Sequence, residues 1–599
     1  MKSRRILALV FALCLVLSLF SGCGQNNANS GTTNASASQG TQTGTGASQS
    51  TPAPQQQTEP ADTNEPDEGA APVEPDSPYH YAKGNYKADE KGLALEKYEY
   101  DLPITTTDEV LTYWLSCLTP QYLPEGGFGE SELPQEVLKR TGVHIEYDVV
   151  ASATMANTFA VMIASDDLDD IMSNARSYYG GAFRDAILEE GYFANLYDYR
   201  EYMPNYVYEA TYNMDDVTTY RSVFSEEDLI MNFLCLYKEA ELNDLLFVRG
   251  DWLAKLGMKN TDLVTLDDWH NMLVGFKSQL DIEYPMTLYS TLEVGGCYHI
   301  TCFDTYCYCY SVPRAMIDGG KVRMSNICEQ DFNLMSKLNE WYNEGLINPN
   351  WASLTGCAML NDDIKNSQVG FITGGGVSIA AHNDVIPADA PVGWQAMTNP
   401  LLYEGQTLHL GYSASRVNYG STAISASCPN IELAVSWMDY RFSESGSFLY
   451  GYGIEGLTYE YREDGDLHIT DYIVNHEAYW GMIMCMYALN HLAEGGLRIS
   501  FYLKMDMNKE VPGFFELVMS TPHDDALTYP TAISLNAEQQ EVVTSIGADL
   551  GTYVQENYLL FFDGSKPLSE WDSYVDGVYA VGMQEIIDVY QEAYDAFMA

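Results

Sequence analysis

The stretch of this sequence nearest to an acid/base centre is the turn Asp166-Asp167-Leu168-Asp169-Asp170. Two carboxyl groups flanking a glycosidic bond are what glycoside hydrolysis needs, one to protonate the leaving oxygen and one to attack or to activate water. Acids crowded into one turn suit a solvated loop equally well. Gly374-Gly-Gly376 lacks the Lys-Ser/Thr that follows a phosphate-cradling loop, and no Gly-x-Ser-x-Gly nucleophile elbow occurs. Cys297, Cys302, Cys307 and Cys309 cluster without the paired Cys-x-x-Cys of a zinc site, and no Asp-x-Asp-x-Asp-Gly loop with a terminal Glu offers a calcium cage. No catalytic residue, metal or cofactor is therefore expected. Binding is the chemistry left: Tyr178 and Tyr179 precede the paired glycines Gly180 and Gly181, where ring faces can meet a ligand beside closely approaching backbone, or simply decorate a surface turn.

The elements that would position such a turn are legible. Glu109–Ser116 mixes β-branched and aromatic residues as a buried strand does, Glu132–Arg140 reads as a helix ending before Thr141-Gly142, and Val143–Val150 reads as a second strand. Thr154–Ala164 is helical in its apolar spacing and Ile171–Ser173 is a short strand. Alternation of this kind predicts a mostly parallel sheet flanked by helices, with ligands beyond the carboxyl ends of the strands. That rule points to Ser116 and Cys117, to Ala151 and Ser152, and to Asn174–Gly181. Ordered structure is expected from about Thr105 onward.

Further along, Gly257 closes a helix, Thr265 with Asp268 forms a capping-box start, and Trp269, Met272, Leu273 and Phe276 make one apolar stripe. A helix from about Asp331 to Gly345 carries Phe332, Met335, Leu338 and Trp341 at core spacing, and Leu346-Ile-Asn-Pro349 ends it. Glu463-Asp-Gly-Asp466 reads as a hairpin turn.

The amino terminus sets the compartment. Lys2, Arg4 and Arg5 precede the apolar run Ile6–Phe20 and the small residues Ser21-Gly22, the layout of a secretory signal, and the run is short of the roughly 20 residues that span a bilayer. Leu19-Phe20-Ser21-Gly22-Cys23 resembles the lipobox of bacterial lipoproteins, which implies acylation of Cys23 and attachment to the outer face of the cell membrane. Gly24 to about Pro78 is polar, then rich in Pro and acids, and has too little apolar surface to fold. A coil of that length reaches on the order of 40 Å. The net charge of −54 repels nucleic acid and anionic lipid surfaces, so no nucleic-acid partner is expected. Of the 12 cysteines, those beyond Cys23 suit buried or free thiols, or one or two disulfides in an exported chain.

Several motifs in order carry a further resemblance. Arg249-x-Asp251-Trp252-Leu-x-Lys-Leu-Gly257, Thr265-x-Asp-Asp-Trp269 and Glu340-Trp341-Tyr-Asn-Glu-Gly-Leu-Ile-Asn-Pro349 are similar to family 1 extracellular solute-binding proteins of ABC importers. So are Gly420-Ser-Thr-Ala-Ile-Ser-Ala-Ser-Cys-Pro-Asn430-x-Glu432-Leu-Ala-x-x-Trp437 and Tyr450-Gly-Tyr-Gly453-Ile-Glu-Gly456. Gly582-Met-Gln-Glu585 with Tyr590-x-x-Ala593-Tyr594 resembles the lipoprotein branch that takes large oligosaccharides. The likeness runs from about Thr105 to the end of the chain.

The resemblance implies an α/β fold of two lobes, each a mostly parallel sheet with helices, hinged at chain crossings and closing on a ligand. It implies a signal peptide at 1–22, a lipidated tether at 23–78, a first lobe from 105–246 and 418–482, and a second lobe from 247–417 and 483–599. For a sugar, ring faces would stack on C–H faces while carboxylates and amides take hydroxyls. Trp114, Asn174, Tyr178, Arg249, Trp394, Tyr412 and Glu455 adjoin strand ends, crossings or glycine turns and are the candidate contacts. Trp114 and Trp394 suit a core equally, and Arg249 equally suits pairing with Asp251 or capping a helix. The implied partners are an oligosaccharide or other small-molecule ligand and the membrane permease of an ABC importer, served by a monomer. A surface glycan-degrading enzyme and a peptide receptor of the same fold are the alternatives.

Overall fold

The computed structural model describes residues 77–598 apart from 118–119, 215, 239–244, 288–299, 307–312, 352–365, 367, 375–384, 411–415, 463–464, 466, 475, 477–482, 485, 488–493, 500–516, 518–519, 531–532 and 534. Cys23, Tyr412, the signal and nearly all of the tether, and Cys297, Cys307 and Cys309 lie outside the described residues.

Thirteen strands among the described residues are numbered in chain order; β6 (Ala315–Asp318) with β7 (Lys321–Met324) and β11 (Tyr459–Tyr461) with β12 (Leu467–Ile469) are separate hairpins, and the other nine form two sheets. Two large hydrophobic cores organise the chain, and the first forms around a six-stranded sheet. Its strands are β1 (Val110–Ser116), β2 (His144–Val150), β3 (Ile171–Ser173), β4 (Phe233–Tyr237), β10 (Val417–Ile424) and β13 (Gly496–Arg498), in the order β13-β4-β10-β3-β1-β2. β1 is a near-continuous apolar run because a central strand covered on both faces has no solvent side. β1 pairs in parallel with β2 and β3, and β4 with β13, but β10 runs antiparallel to both of its neighbours. The sheet is therefore mixed.

The helix Ile431–Tyr440 lies against this sheet, buried on every residue from Leu433 to Tyr440. Arg441 follows it into the core, paired with Glu494 at 2.9 Å and stacked over Trp437 and Tyr450 at 4.7 and 4.8 Å. Asp439, in the same helix, accepts hydrogen bonds from Tyr100 Oη and Asn205 Nδ2 at 2.9 Å and from the Tyr206 amide at 2.7 Å. Burial nevertheless pushes its carboxyl up to about 6, against the pull of those donors.

Tyr100 belongs to a segment expected to precede the ordered body. Residues 77–104 are instead packed on the first core: the His80 amide donates to Ile104 O at 2.8 Å, and Tyr79 stacks on Tyr81 with 5.1 Å between ring centroids. Aromatics interleaved with charges have neither period of a regular element, and so this packing leaves no strand or helix pattern in the sequence.

The second core surrounds a sheet of β5 (Leu245–Arg249), β8 (Phe371–Gly374) and β9 (Trp394–Met397), ordered β8-β5-β9. Both pairings are antiparallel, where a mostly parallel sheet was expected, because β8 and β9 enter the sheet from the end at which β5 leaves it for the helix Gly250–Leu256. Gly257 ends that helix in the left-handed region at φ 71°, and Thr265 and Asp268 make the reciprocal cap of the helix Leu266–Leu280. Trp269, Met272, Leu273 and Phe276 are buried as their spacing predicts. The helices Glu329–Asn343, Ala537–Phe562, Trp571–Val581 and Met583–Met598 complete the lobe, with Tyr558, Phe561, Phe562, Trp571 and Tyr574 in its core.

The crossing expected at 482/483 falls early. β13 still lies in the first sheet, and Met484 and Leu497 pack in the first core, whereas the amide of Leu408, in the second core, donates to Pro522 O at 2.9 Å. No helix among the described residues is long and apolar enough to cross a membrane.

Candidate ligand-binding site

A cavity of about 740 Å³ is walled by elements of both lobes. That volume lies within the range of small-molecule clefts, roughly 300–1,000 Å³. One wall is the turn beyond β3. Asn174 adopts the left-handed region at φ 54°, its amide donates to Ser421 O at 2.7 Å, and its Oδ1 accepts from Ser177 Oγ at 2.9 Å. These bonds fold the chain into the single helical turn Ala175–Tyr178, from which Arg176, Tyr179, Gly180 and Gly181 reach the cavity. A side chain at Gly180 would meet nothing within 4 Å, so the backbone there is open to a ligand. Tyr179 is steadied by donating to Glu190 Oε2 at 2.7 Å.

A small aromatic core supports this wall. Tyr178 lies edge-on to Trp114 at 6.0 Å between centroids, and Phe159, Phe183 and Phe193 pack in the same cluster. Trp114 is 0% exposed.

The opposite wall is the start of the helix Ala537–Phe562 and one residue of the last helix. Asn536 and Gln539 cap the former reciprocally, and Gln540, Glu541, Thr544 and Ser545, one and four residues apart, share the face turned to the cavity. Ile533 and Leu535 lead into it, and Tyr590 completes the wall, held edge-on by Tyr529 at 5.4 Å. The lining thus offers two tyrosines, one per wall, with amide, hydroxyl and charged groups between them. That is an arrangement for gripping a polyhydroxylated ring.

Among the expected contacts, Asn174 and Tyr178 build the first wall without lining the cavity. Arg249 and Trp394 lie in the second core. Arg249, 2% exposed, makes a two-pronged bond to Asp251, Nε to Oδ1 at 2.7 Å and Nη2 to Oδ2 at 2.8 Å, and stacks over Trp252 at 4.5 Å and Trp394 at 5.8 Å. Trp114, Trp394 and Arg249 therefore hold the cores together and present no surface to a ligand there. Glu455 is exposed in a turn bridged to Tyr459, away from the cavity lining. Arg176, Ile533, Leu535, Gln540, Glu541, Thr544, Ser545 and Tyr590 are lining residues that were not among the candidate contacts, although Arg176 lies in the stretch Asn174–Gly181 and Tyr590 in a motif of the family resemblance.

The acidic turn has a structural use. Asp170 Oδ2 accepts from the Thr112 amide at 2.8 Å and its own amide donates to Thr112 Oγ1 at 2.9 Å, which ties the turn to β1. Burial pushes the carboxyl of neighbouring Asp169 up. Among the described residues, no group of three or more His, Cys, Asp or Glu side chains is placed to hold a metal ion. Cys302, Cys328 and Cys428 are free thiols, and burial holds all three above the ordinary thiol range.

No protein-family model and no curated protein matches the chain. Its fold is shared with solved structures. An extracellular solute-binding protein from Bifidobacterium longum subsp. infantis superposes with a TM-score of 0.64 at 16% identity, covering 83% of this chain and 100% of that one. An ABC-transporter-associated solute-binding protein from B. longum infantis, described as binding HMO, gives 0.61 at 17% identity over 82% and 99% of the two chains. The Streptococcus pneumoniae ABC-transporter substrate-binding protein FusA, in complex with kestose, gives 0.58 at 17% over 82% and 99%. The fold is accordingly the two-lobed α/β fold of extracellular solute-binding proteins.

Proposed function

We propose that this chain is an extracellular solute-binding protein that captures an oligosaccharide in the cavity between its lobes and delivers it to the permease of an ABC importer. The observation that carries this reading is the cavity itself, walled by Tyr179 on one core and by Tyr590 and the 540–545 helix face on the other. A solute-binding protein described as binding HMO and another in complex with kestose share the fold. Calorimetric titration of the full chain with a panel of oligosaccharides tests it. One saturable site for at least one glycan is expected; silence across the panel, with peptides binding instead, would replace the sugar by a peptide.

The same reading holds the chain at the outer face of the membrane as a monomer, moored by lipid on Cys23. Cys23→Ser should lose the acyl mass and leave the membrane fraction, and a variant that stays attached would place the anchor elsewhere. The degradative alternative draws on acids of the 166–170 turn such as Asp167 and Asp170, and the bond from the Thr112 amide to Asp170 supports a structural use for that turn. Release of new reducing ends from a bound glycan would restore it.

A further inference from the structure

A second concavity, of about 610 Å³, lies wholly within the second lobe. The start of the helix Glu329–Asn343 forms one side, and the turn Leu568–Glu570 with the helix Trp571–Val581 forms the other. Its floor is apolar. Ile327 and Trp571 are buried, Leu568 and Val575 half-buried, and Phe332 meets Trp571 edge-on at 5.7 Å between ring centroids. Its rim is acidic. Glu329, Asp572 and Asp576 are three of the nine described lining residues, against 84 acids in the 599 residues of the chain, and no Lys or Arg stands among the nine. All three carboxylates are exposed, and none is hydrogen-bonded or ion-paired to a described residue. Glu329 and Asp572 occupy the first turns of their helices, where the macrodipole favours an acid. Asp576 has no such reason. It follows Asp572 by four residues on the same helix face, a like-charge spacing that destabilises a helix. Lys566, the nearest cation in the sequence, is engaged elsewhere, bonded to Asn557 Oδ1 at 3.0 Å and lying over the Phe561 ring at 5.3 Å.

We propose that this groove docks an arginine-bearing, partly apolar segment of another protein. The apolar stem of the arginine covers Phe332, Leu568 and Val575, while its guanidinium, more weakly hydrated than an ammonium, meets the carboxylates of Asp572, Asp576 and Glu329. The bound cation relieves the repulsion that Asp576 suffers in the free chain. The net charge of −54 selects this occupant: a second copy of the chain, a nucleic acid and an anionic bilayer are all repelled, and a basic protein surface is drawn in. Every wall of the groove belongs to the second lobe, so docking there requires neither a glycan nor closure, whichever solute the cavity between the lobes takes.

The probe is a fluorescent hexapeptide alternating leucine with arginine, and its control carries citrulline at each arginine, which keeps the shape and removes the charge. Anisotropy titrations with the full chain should show the arginine peptide binding ten-fold or more tighter than the citrulline one. General attraction to so acidic a chain would give the same preference, so two double variants of equal charge change locate the site. Asp572→Asn with Asp576→Asn should weaken the arginine peptide five-fold or more. Glu90→Gln with Asp108→Asn, at exposed positions outside the groove, should change it by less than two-fold. Thermal melts check that both pairs fold; if the first does not, Asp576→Asn alone decides, with a loss of about three-fold expected. An arginine-to-citrulline ratio near one, no saturable binding, equal losses in the two pairs, or binding that the groove variants leave untouched overturns the inference. The glycan titration is unaffected by any of these outcomes.

Discussion

Arg249 and Asp251 show how a residue that looks poised for a ligand can be spent on the core. Both are nearly without exposure, and their two-pronged bond is enclosed by Trp252 and Trp394. Removing one charge of such a pair strands the other in a medium that solvates it poorly. Arg249→Met should cost about 3 to 5 kcal/mol of stability, read from denaturant midpoints, and touch ligand affinity only through the fraction folded. His409 and Asp524 form a pair of another kind, 2.6 Å apart and half-exposed. The bond to Asp524 raises the His409 pKa above its ordinary 6.5, and against the opposing effect of burial the His409 bond and the Ala526 amide draw Asp524 below 3.8. The histidine's contribution is therefore complete below about pH 6.5 and is lost as pH rises through its raised value; the aspartate's is present above 3.8 and is lost as pH falls through its lowered one. Unfolding midpoints measured from pH 5.5 to 8.5 should show a decline in the parent that is shallower in His409→Gln, by under about 1 kcal/mol because the pair meets water.

At the scale of elements, the helix Ala537–Phe562 serves both the second core and the cavity. Its cap, Asn536 Oδ1 accepting from the Gln539 amide at 2.9 Å, fixes the turn that presents Gln540 and Glu541. Asn536→Ala should cost about 1 kcal/mol of stability and weaken glycan binding besides, because the frayed residues are the ones that face the ligand; unchanged affinity in calorimetry would remove that turn from the site. The physical rule that made elements legible also explains which were not. Thr265 and Asp268, Gly257 and the Trp269 stripe announce helix ends and faces through local bonding and spacing, and the structure has them in those roles. Tyr100 and the acceptor Asp439 meet across 339 residues of chain, and the tyrosines of 77–104 pack on a core built from distant segments, so the local sequence does not reveal either role. The site divides likewise. Its first wall follows from the rule that ligands gather beyond strand ends, which led to Asn174–Gly181. The second wall is the polar face of a helix, indistinguishable in sequence from a solvated one until the structure sets another lobe opposite.

On the scale of the whole molecule, the two cores also meet away from the cavity. Arg221, on the helix Val217–Val223 of the first lobe, donates from Nη2 to Met598 O at 3.0 Å and lies over the Phe597 ring at 5.7 Å. A contact made by both lobes favours the conformation that contains it, and a ligand gripped by both walls favours the same conformation. Arg221→Ala should weaken glycan binding about two- to five-fold without altering which glycan is preferred, the scale expected for an exposed cation–π contact and one hydrogen bond. Small-angle scattering of the unliganded variant should show a larger radius than the parent; an identical radius and affinity would mean the clasp has no hold on closure.

The packing of residues 77–104 bears on how such a molecule withstands being pulled. Tyr79, Tyr81, Tyr98 and Tyr100 are all seated on the first core. Force applied at residue 77 would therefore meet those tyrosine contacts first.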